Sequence, residues 1–156
     1  IDYEIIPGVP VYTAVAAALG QELTIPEIAQ SIVLTRMSMK STSMPAGETL
    51  ENFAISGATL AIHLAIRNMR EIERVLIPHY GADCPVVVAY RASWPDQIII
   101  RGTLSDIRKK VRDAKITRTA LILVGPALKE QQDFVDSALY HPDMEHVLRN
   151  RKTPAA

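Results

Sequence analysis

The sequence predicts an α/β domain, a mixed sheet of roughly five strands flanked by helices. Short β-branched or aliphatic runs recur at Ser31–Thr35, Thr59–Leu64, Pro85–Tyr90, Gln97–Arg101 and Ala120–Val124. Stretches with apolar residues at helical spacing lie between most of them, and strands alternating with helices define the α/β class. The step from Tyr90 to Gln97 is too short for a crossover helix, so its two strands pair antiparallel and make the sheet mixed.

The elements follow in order. Pro10 suits the first position of a helix running to Leu19, and Gly20 suits its end. That helix, rich in alanine and without a charged face, is expected to be buried. Ser31–Thr35 is a short strand. Arg36 to Gly47 has no periodicity and reads as a loop long enough to cover a site. Leu50, Phe53 and Ala54 give helical spacing closed by Gly57. Thr59–Leu64 hardly alternates in polarity and is expected to be covered on both faces. Asn68 with Glu71 three residues on predicts a capped helix whose apolar face is Met69, Ile72, Val75 and Leu76, ending at Gly81. Pro85–Tyr90 is another buried strand and Gln97–Arg101 its neighbour. Thr103 and Asp106 open a helix with Leu104, Ile107, Val111 and Ala114 inward; Lys109, Lys110 and Arg112 favour its C-terminal dipole. Ala120–Val124, stopped by Gly125-Pro126, is the last strand. Gln131–Ala138 fits a further helix, and His141–Ala156 is polar and peripheral.

At 156 residues the chain is sized for one domain. Its 17 basic and 17 acidic residues cancel, which argues against a nucleic-acid partner, since such proteins carry a basic excess. Apolar runs such as Ala58–Ala65 stop well short of a membrane span, so no membrane partner is expected. The single cysteine, Cys84, excludes an internal disulfide and fits a reducing, cytoplasmic compartment. Ile1–Ile6 reads as the end of a strand or linker, as though the chain begins inside a larger protein. The division expected is a linker and turn over 1–10, a domain over 11–126 and a peripheral tail over 127–156.

Neither a Walker loop nor a G-x-G-x-x-G turn is present. His63, His79, His141 and His146 lack metal-ligand spacing, so no metal is expected. Cys84, before Pro85 at a strand start, reads as a small buried hydrophobe, without the surroundings of a nucleophile. Two segments stand out. Ile6-Pro7-Gly8-Val9-Pro10 is either a plain turn or a backbone loop whose N–H groups meet a ligand, with Gly8 allowing a close approach or a positive φ. Tyr90-Arg91-Ala92-Ser93-Trp94-Pro95-Asp96 follows a buried strand, where ligands of open α/β sheets sit; Arg91 and Trp94 fit an ordinary surface loop equally well.

These segments, with Thr59–Leu64, Tyr80–Val86, Arg101–Leu104 and Thr119–Gly125, resemble the C-terminal half of the tetrapyrrole methylases. Tyr80–Val86 and Tyr90–Asp96 resemble the members that act on precorrins. The resemblance reaches from the first turn to Phe134–Tyr140. It implies transfer of a methyl group from S-adenosylmethionine to a carbon of a tetrapyrrole, in a cleft between two α/β domains. The first of those domains is not represented. It implies cofactor contacts at Pro10, Val11, Leu64, Ala92, Thr119 and Ala120, and a homodimer. Precorrins are polycarboxylates, so Arg36, Arg67 and Arg91, each following a strand, are candidate substrate contacts. An isolated ligand-binding or dimerisation module, or a methylase of another tetrapyrrole or of RNA, are the alternatives.

Overall fold

The computed structural model describes residues 1–37 and 43–130. In chain order it contains α1 (Val11–Leu19), β1 (Ile32–Arg36), α2 (Leu50–Ala54), β2 (Thr59–His63) and a 3-10 turn (Ile66–Asn68). Then come α3 (Met69–Tyr80), β3 (Pro85–Tyr90), β4 (Ile98–Thr103), α4 (Ile107–Asp113), β5 (Ala120–Val124) and a closing 3-10 turn (Pro126–Leu128). The five expected strands and the mixed sheet are present. The expected helix at Gln131–Ala138 and the tail to Ala156 lie outside the described residues, as does 38–42 of the long loop.

The sheet order is β1-β2-β5-β3-β4. β1 and β2 are parallel, while β5 runs antiparallel to both β2 and β3, and β4 antiparallel to β3. The sequence predicts one reversal, at Tyr90–Gln97; β5 supplies a second, inserted at the centre of the sheet. The near-continuous apolar runs reflect burial on both faces, as expected. In β3, Val86 and Val88 join one core while Val87 and Ala89 join the other. The thicker core is closed by Leu50, Met69, Ile72, Leu76, Ile107 and Val111 from α2, α3 and α4. The thinner one is closed by Val15 of α1 with Leu23 and Leu128.

Four local expectations change. α1 is not buried: only Val15 is, and Ala17 and Ala18 are exposed. Among the described helices α1 alone covers the thinner face, so a single stripe of it meets the sheet. Its start is also shifted, with Pro10 at the N-cap in extended backbone and its carbonyl accepting from the Thr13 and Ala14 amides. The capping box at Asn68–Glu71 does not form. Asn68 makes no side-chain capping bond to α3, and Glu71 instead binds Arg74. A 3-10 turn feeds directly into α3, which makes a separate cap unnecessary. Gly8 has neither a positive φ nor a crowding neighbour, so nothing there requires glycine.

A glycine is required at the other end of the sheet. A Cβ on Gly125 would lie 3.0 Å from the backbone Cα of Thr59. Thr59 has little room to move, because it is fully buried and its hydroxyl donates to the Leu23 carbonyl at 2.7 Å. Gly125→Ala is therefore expected to destabilise the fold by about 1–3 kcal/mol, as overpacking does, read as a lower thermal midpoint.

Candidate functional site

The strand directions decide where a site can form. β1, β2 and β3 end on one edge of the sheet, and β4 and β5 begin on that edge. The residue leaving β2, Leu64, and the loop leaving β3 therefore flank the segment entering β5 between them. They enclose a cavity of about 570 Å3, within the range of small-molecule and cofactor sites. Val11 from the start of α1 closes one side, and Ile66 and Arg67 of the 3-10 turn another.

The backbone at this edge is strained. Leu64 (φ 55°), Arg91 (47°) and Thr119 (53°) all line the cavity in the left-handed region, and Ser93 (69°) lies in the same loop as Arg91. Side-chain-bearing residues rarely occupy this region, and such strain concentrates at ligand clamps. The surroundings hold it in place. The Arg91 amide donates to the Thr119 carbonyl at 2.9 Å, tying the β3 exit to the β5 entry. The Arg91 guanidinium pairs with Asp96 at 3.0 Å and lies 4.2 Å over the Trp94 ring. The Trp94 amide donates back to the Arg91 carbonyl, and Gln97 accepts from the Ser93 amide. The loop Tyr90–Gln97 is thus a built element. On the other side Arg67 Nε donates to the Thr117 carbonyl at 3.1 Å.

Of the residues expected at a cofactor, Val11, Leu64, Ala92, Thr119 and Ala120 share this cavity, and Pro10 immediately precedes Val11 without lining it. Of the three arginines, Arg67 and Arg91 line it. Arg36 does not: it ends the outer strand β1 and borders a separate cavity with Met37, Glu51 and Arg74. His63, Ile66, Thr117, Arg118 and Leu121 also line the cavity, and no motif in the sequence points to them as site residues. Among the described residues the lining contains small aliphatic side chains, three arginines and one histidine, and no acidic residue. Among the described residues no group of three or more His, Cys, Asp or Glu is placed to hold a metal ion.

Comparison with known proteins agrees with the fold. The fold and the edge cavity define a class of architecture, a mixed α/β sheet with an apolar cavity bordered by arginines on one edge. More specifically, residues 1–108 match the family of tetrapyrrole (corrin/porphyrin) methylases, and the chain belongs to that family. It is 53% identical over 151 residues to a precorrin-4 C(11)-methyltransferase of a Sinorhizobium species, covering 97% of this chain and 59% of that protein. It is 42% identical to the cobalt-precorrin-4 C(11)-methyltransferase of Methanocaldococcus jannaschii, covering 96% of this chain and 57% of that one. Among solved structures, a cobalamin biosynthetic cobalt precorrin-4 methyltransferase superposes with a TM-score of 0.78 at 38% identity. That match covers 81% of this chain and 53% of the other. The chain thus spans less than two thirds of the length of the relatives it matches.

Cys84 takes no part in the cavity. It is buried in the thicker core, and burial pushes its thiol up to about 11. Burial likewise raises Tyr80, to about 12, while its hydroxyl donates to the Ala58 carbonyl at 2.6 Å. With the Cys84 thiol at about 11, roughly one molecule in a thousand carries the reactive thiolate at pH 8. Iodoacetamide at pH 8 is expected to leave folded Cys84 unmodified over a time that fully labels the urea-unfolded chain, read by mass spectrometry.

Proposed function

We propose that this chain supplies the cofactor-binding part of an S-adenosylmethionine-dependent methyltransferase acting on C11 of precorrin-4 in cobalamin synthesis. The observation that carries the reading is the strand-edge cavity, where Val11, Leu64, Ala92, Thr119 and Ala120 meet in a chain of this family. Pro10 belongs to the same proposal as the residue that sets the start of α1 beside Val11. The proposed division is a linker and turn over 1–10, a domain over 11–126 and a peripheral tail over 127–156, although Ala127 and Leu128 are still buried in the domain.

The lining fits the group. Small side chains at Ala89, Ala92 and Ala120 leave room for a flat ring, and Leu64, Ile66 and Leu121 offer apolar surface to a thioether chain. When bound, S-adenosylmethionine supplies an electrophilic sulfonium methyl, so the protein's task is alignment and charge placement. The left-handed residues set the turns at the rim, and the exposed Trp94 and Leu64 present apolar surface there. Arg36, Arg67 and Arg91 are the proposed contacts for tetrapyrrole carboxylates. Arg67 and Arg91 are favoured by their place on the cavity; each guanidinium has donors beyond those it already uses. Arg36 lies on another cavity and its part is correspondingly smaller.

The same proposal takes the protein as a cytoplasmic homodimer with a precorrin partner and no nucleic-acid or membrane partner. The balance of 17 basic and 17 acidic residues supports the reading without a nucleic-acid partner, and no described helix is long and apolar enough to cross a membrane.

Calorimetric titration of the natural protein with S-adenosylmethionine tests the reading; absence of binding would sink it. Leu64→Gly separates strain from function. Glycine relieves the left-handed strain, so stability is expected to hold or rise by up to about 1 kcal/mol. Loss of the Leu64 side chain removes apolar contact, and cofactor affinity is expected to fall about tenfold. The 156-residue chain alone is expected to show no turnover of a precorrin, because an open cofactor surface loses alignment to water. Turnover by the chain alone at a rate near that of the natural protein would overturn the two-domain cleft.

A further inference from the structure

We propose that Arg118, a residue outside every motif discussed so far, is the principal carboxylate receptor of the strand-edge cavity; the inference rests on the methyltransferase reading above. Three cations of this cavity are arginines, and they are not equivalent. Arg67 spends its Nε on the Thr117 carbonyl. Arg91 is neutralised by Asp96 and stacked on Trp94. Arg118 also lines the cavity, is exposed, and has no hydrogen bond or ion pair with any described residue. All five of its N–H donors are open to a ligand.

Its backbone, by contrast, is held on both sides. The Thr117 carbonyl accepts from Arg67 Nε, and the Thr119 carbonyl accepts from the Arg91 amide. Thr119 then turns through φ 53° into β5. A free guanidinium therefore stands on a clamped three-residue bridge at the mouth of the cavity. Arg67 and Arg91 fix the position of Arg118 as much as they contact a ligand. The surrounding field agrees with an anionic occupant: among the described residues the lining has no acidic one, although the chain as a whole is neutral. A planar guanidinium with a free fork binds a carboxylate bidentately, which an ammonium cannot do.

Carboxylate in this site has two sources, a side chain of the tetrapyrrole and the amino-acid end of the cofactor. The experiment separates them. In the natural protein, Arg118→Ala, Arg118→Lys and a control on the far helix, Arg112→Ala, are compared. Dissociation constants are measured for S-adenosylhomocysteine, for methylthioadenosine, which lacks the carboxylate, and for the polycarboxylate porphyrin uroporphyrin. Thermal midpoints are read alongside. The proposal expects Arg118→Ala to weaken one carboxylate ligand about 10- to 100-fold, with Arg118→Lys recovering part of the loss. Methylthioadenosine binding, the midpoint and the control should stay unchanged.

Loss confined to uroporphyrin assigns the tetrapyrrole carboxylate, and loss confined to S-adenosylhomocysteine assigns the cofactor's. If the unaltered protein binds both and Arg118→Ala changes neither, Arg118 is not the receptor while the methyltransferase reading stands. If the unaltered protein binds neither S-adenosylhomocysteine nor methylthioadenosine, it is the cofactor reading that fails, and the receptor role falls with it.

Discussion

The insertion of β5 between β2 and β3 is the constraint on which the rest of the structure depends. β5 is hydrogen-bonded on both edges, and Leu121, Ile122, Leu123 and Val124 are buried on both faces. A strand held on four sides has no freedom of register, because a slip of one residue would exchange its two apolar faces. Its antiparallel sense then brings Thr117–Thr119 to the edge where β2 and β3 leave the sheet. The cavity is a consequence of that arrival. Were β5 parallel to its neighbours, the same residues would enter at the opposite edge and the cavity would lose its floor.

This arrangement also explains why strained backbone is tolerated where it occurs. Three chain segments turn sharply within a small volume, and Leu64, Arg91 and Thr119 adopt left-handed conformations to do so. Each such residue costs on the order of 1–3 kcal/mol. The cost is offset by the strands these turns terminate, whose central residues are almost wholly buried: Leu60, Ala61, Ile62, Val86, Val87 and Val88. Rigid strands ending in strained turns hold backbone groups in fixed positions, which is the condition for aligning a ligand without a metal or a covalent anchor. The unequal coverage of the faces follows the same logic. The thicker side, under α2, α3 and α4, supplies stability, and the thinner side leaves the start of α1 free to border the cavity.

Much of this was legible in the sequence, and the part that was not has a definite reason. The strands could be read because burial on both faces demands unbroken apolar runs, and Pro85–Tyr90 and Ala120–Val124 match the observed elements residue for residue. Gly20 and Gly81 marked helix ends through their positive φ. The direction of β5 is another matter. Nothing in Ala120–Val124 distinguishes a parallel from an antiparallel strand, since both are apolar throughout when buried. The rule that ligands sit at the carboxyl ends of strands therefore led to Arg36, Arg67 and Arg91. It passed over Arg118, which precedes its strand. Arg36 obeyed the rule and still fell elsewhere, because β1 is the outer strand and two strands separate it from β3. α1 misled for a related reason: small apolar residues permit burial but do not require it.

Net charge was similarly informative only as an average. Equal numbers of acidic and basic residues give no net positive charge, and they say nothing about where the charges stand. Three of the acidic residues are paired at a distance from the cavity, Glu71 with Arg74, Glu73 with Arg108 and Asp106 with Lys110. Among the described residues only Asp96 answers a cavity arginine, and it does so from outside the lining. Three guanidinium groups gathered on one rim repel one another, an arrangement that folding alone does not favour. The chain holds them there by tethering two of them, one to a carbonyl and one to a carboxylate and an aromatic ring. That repulsion is a cost of the folded state, and an anion bound at the proposed site would relieve it.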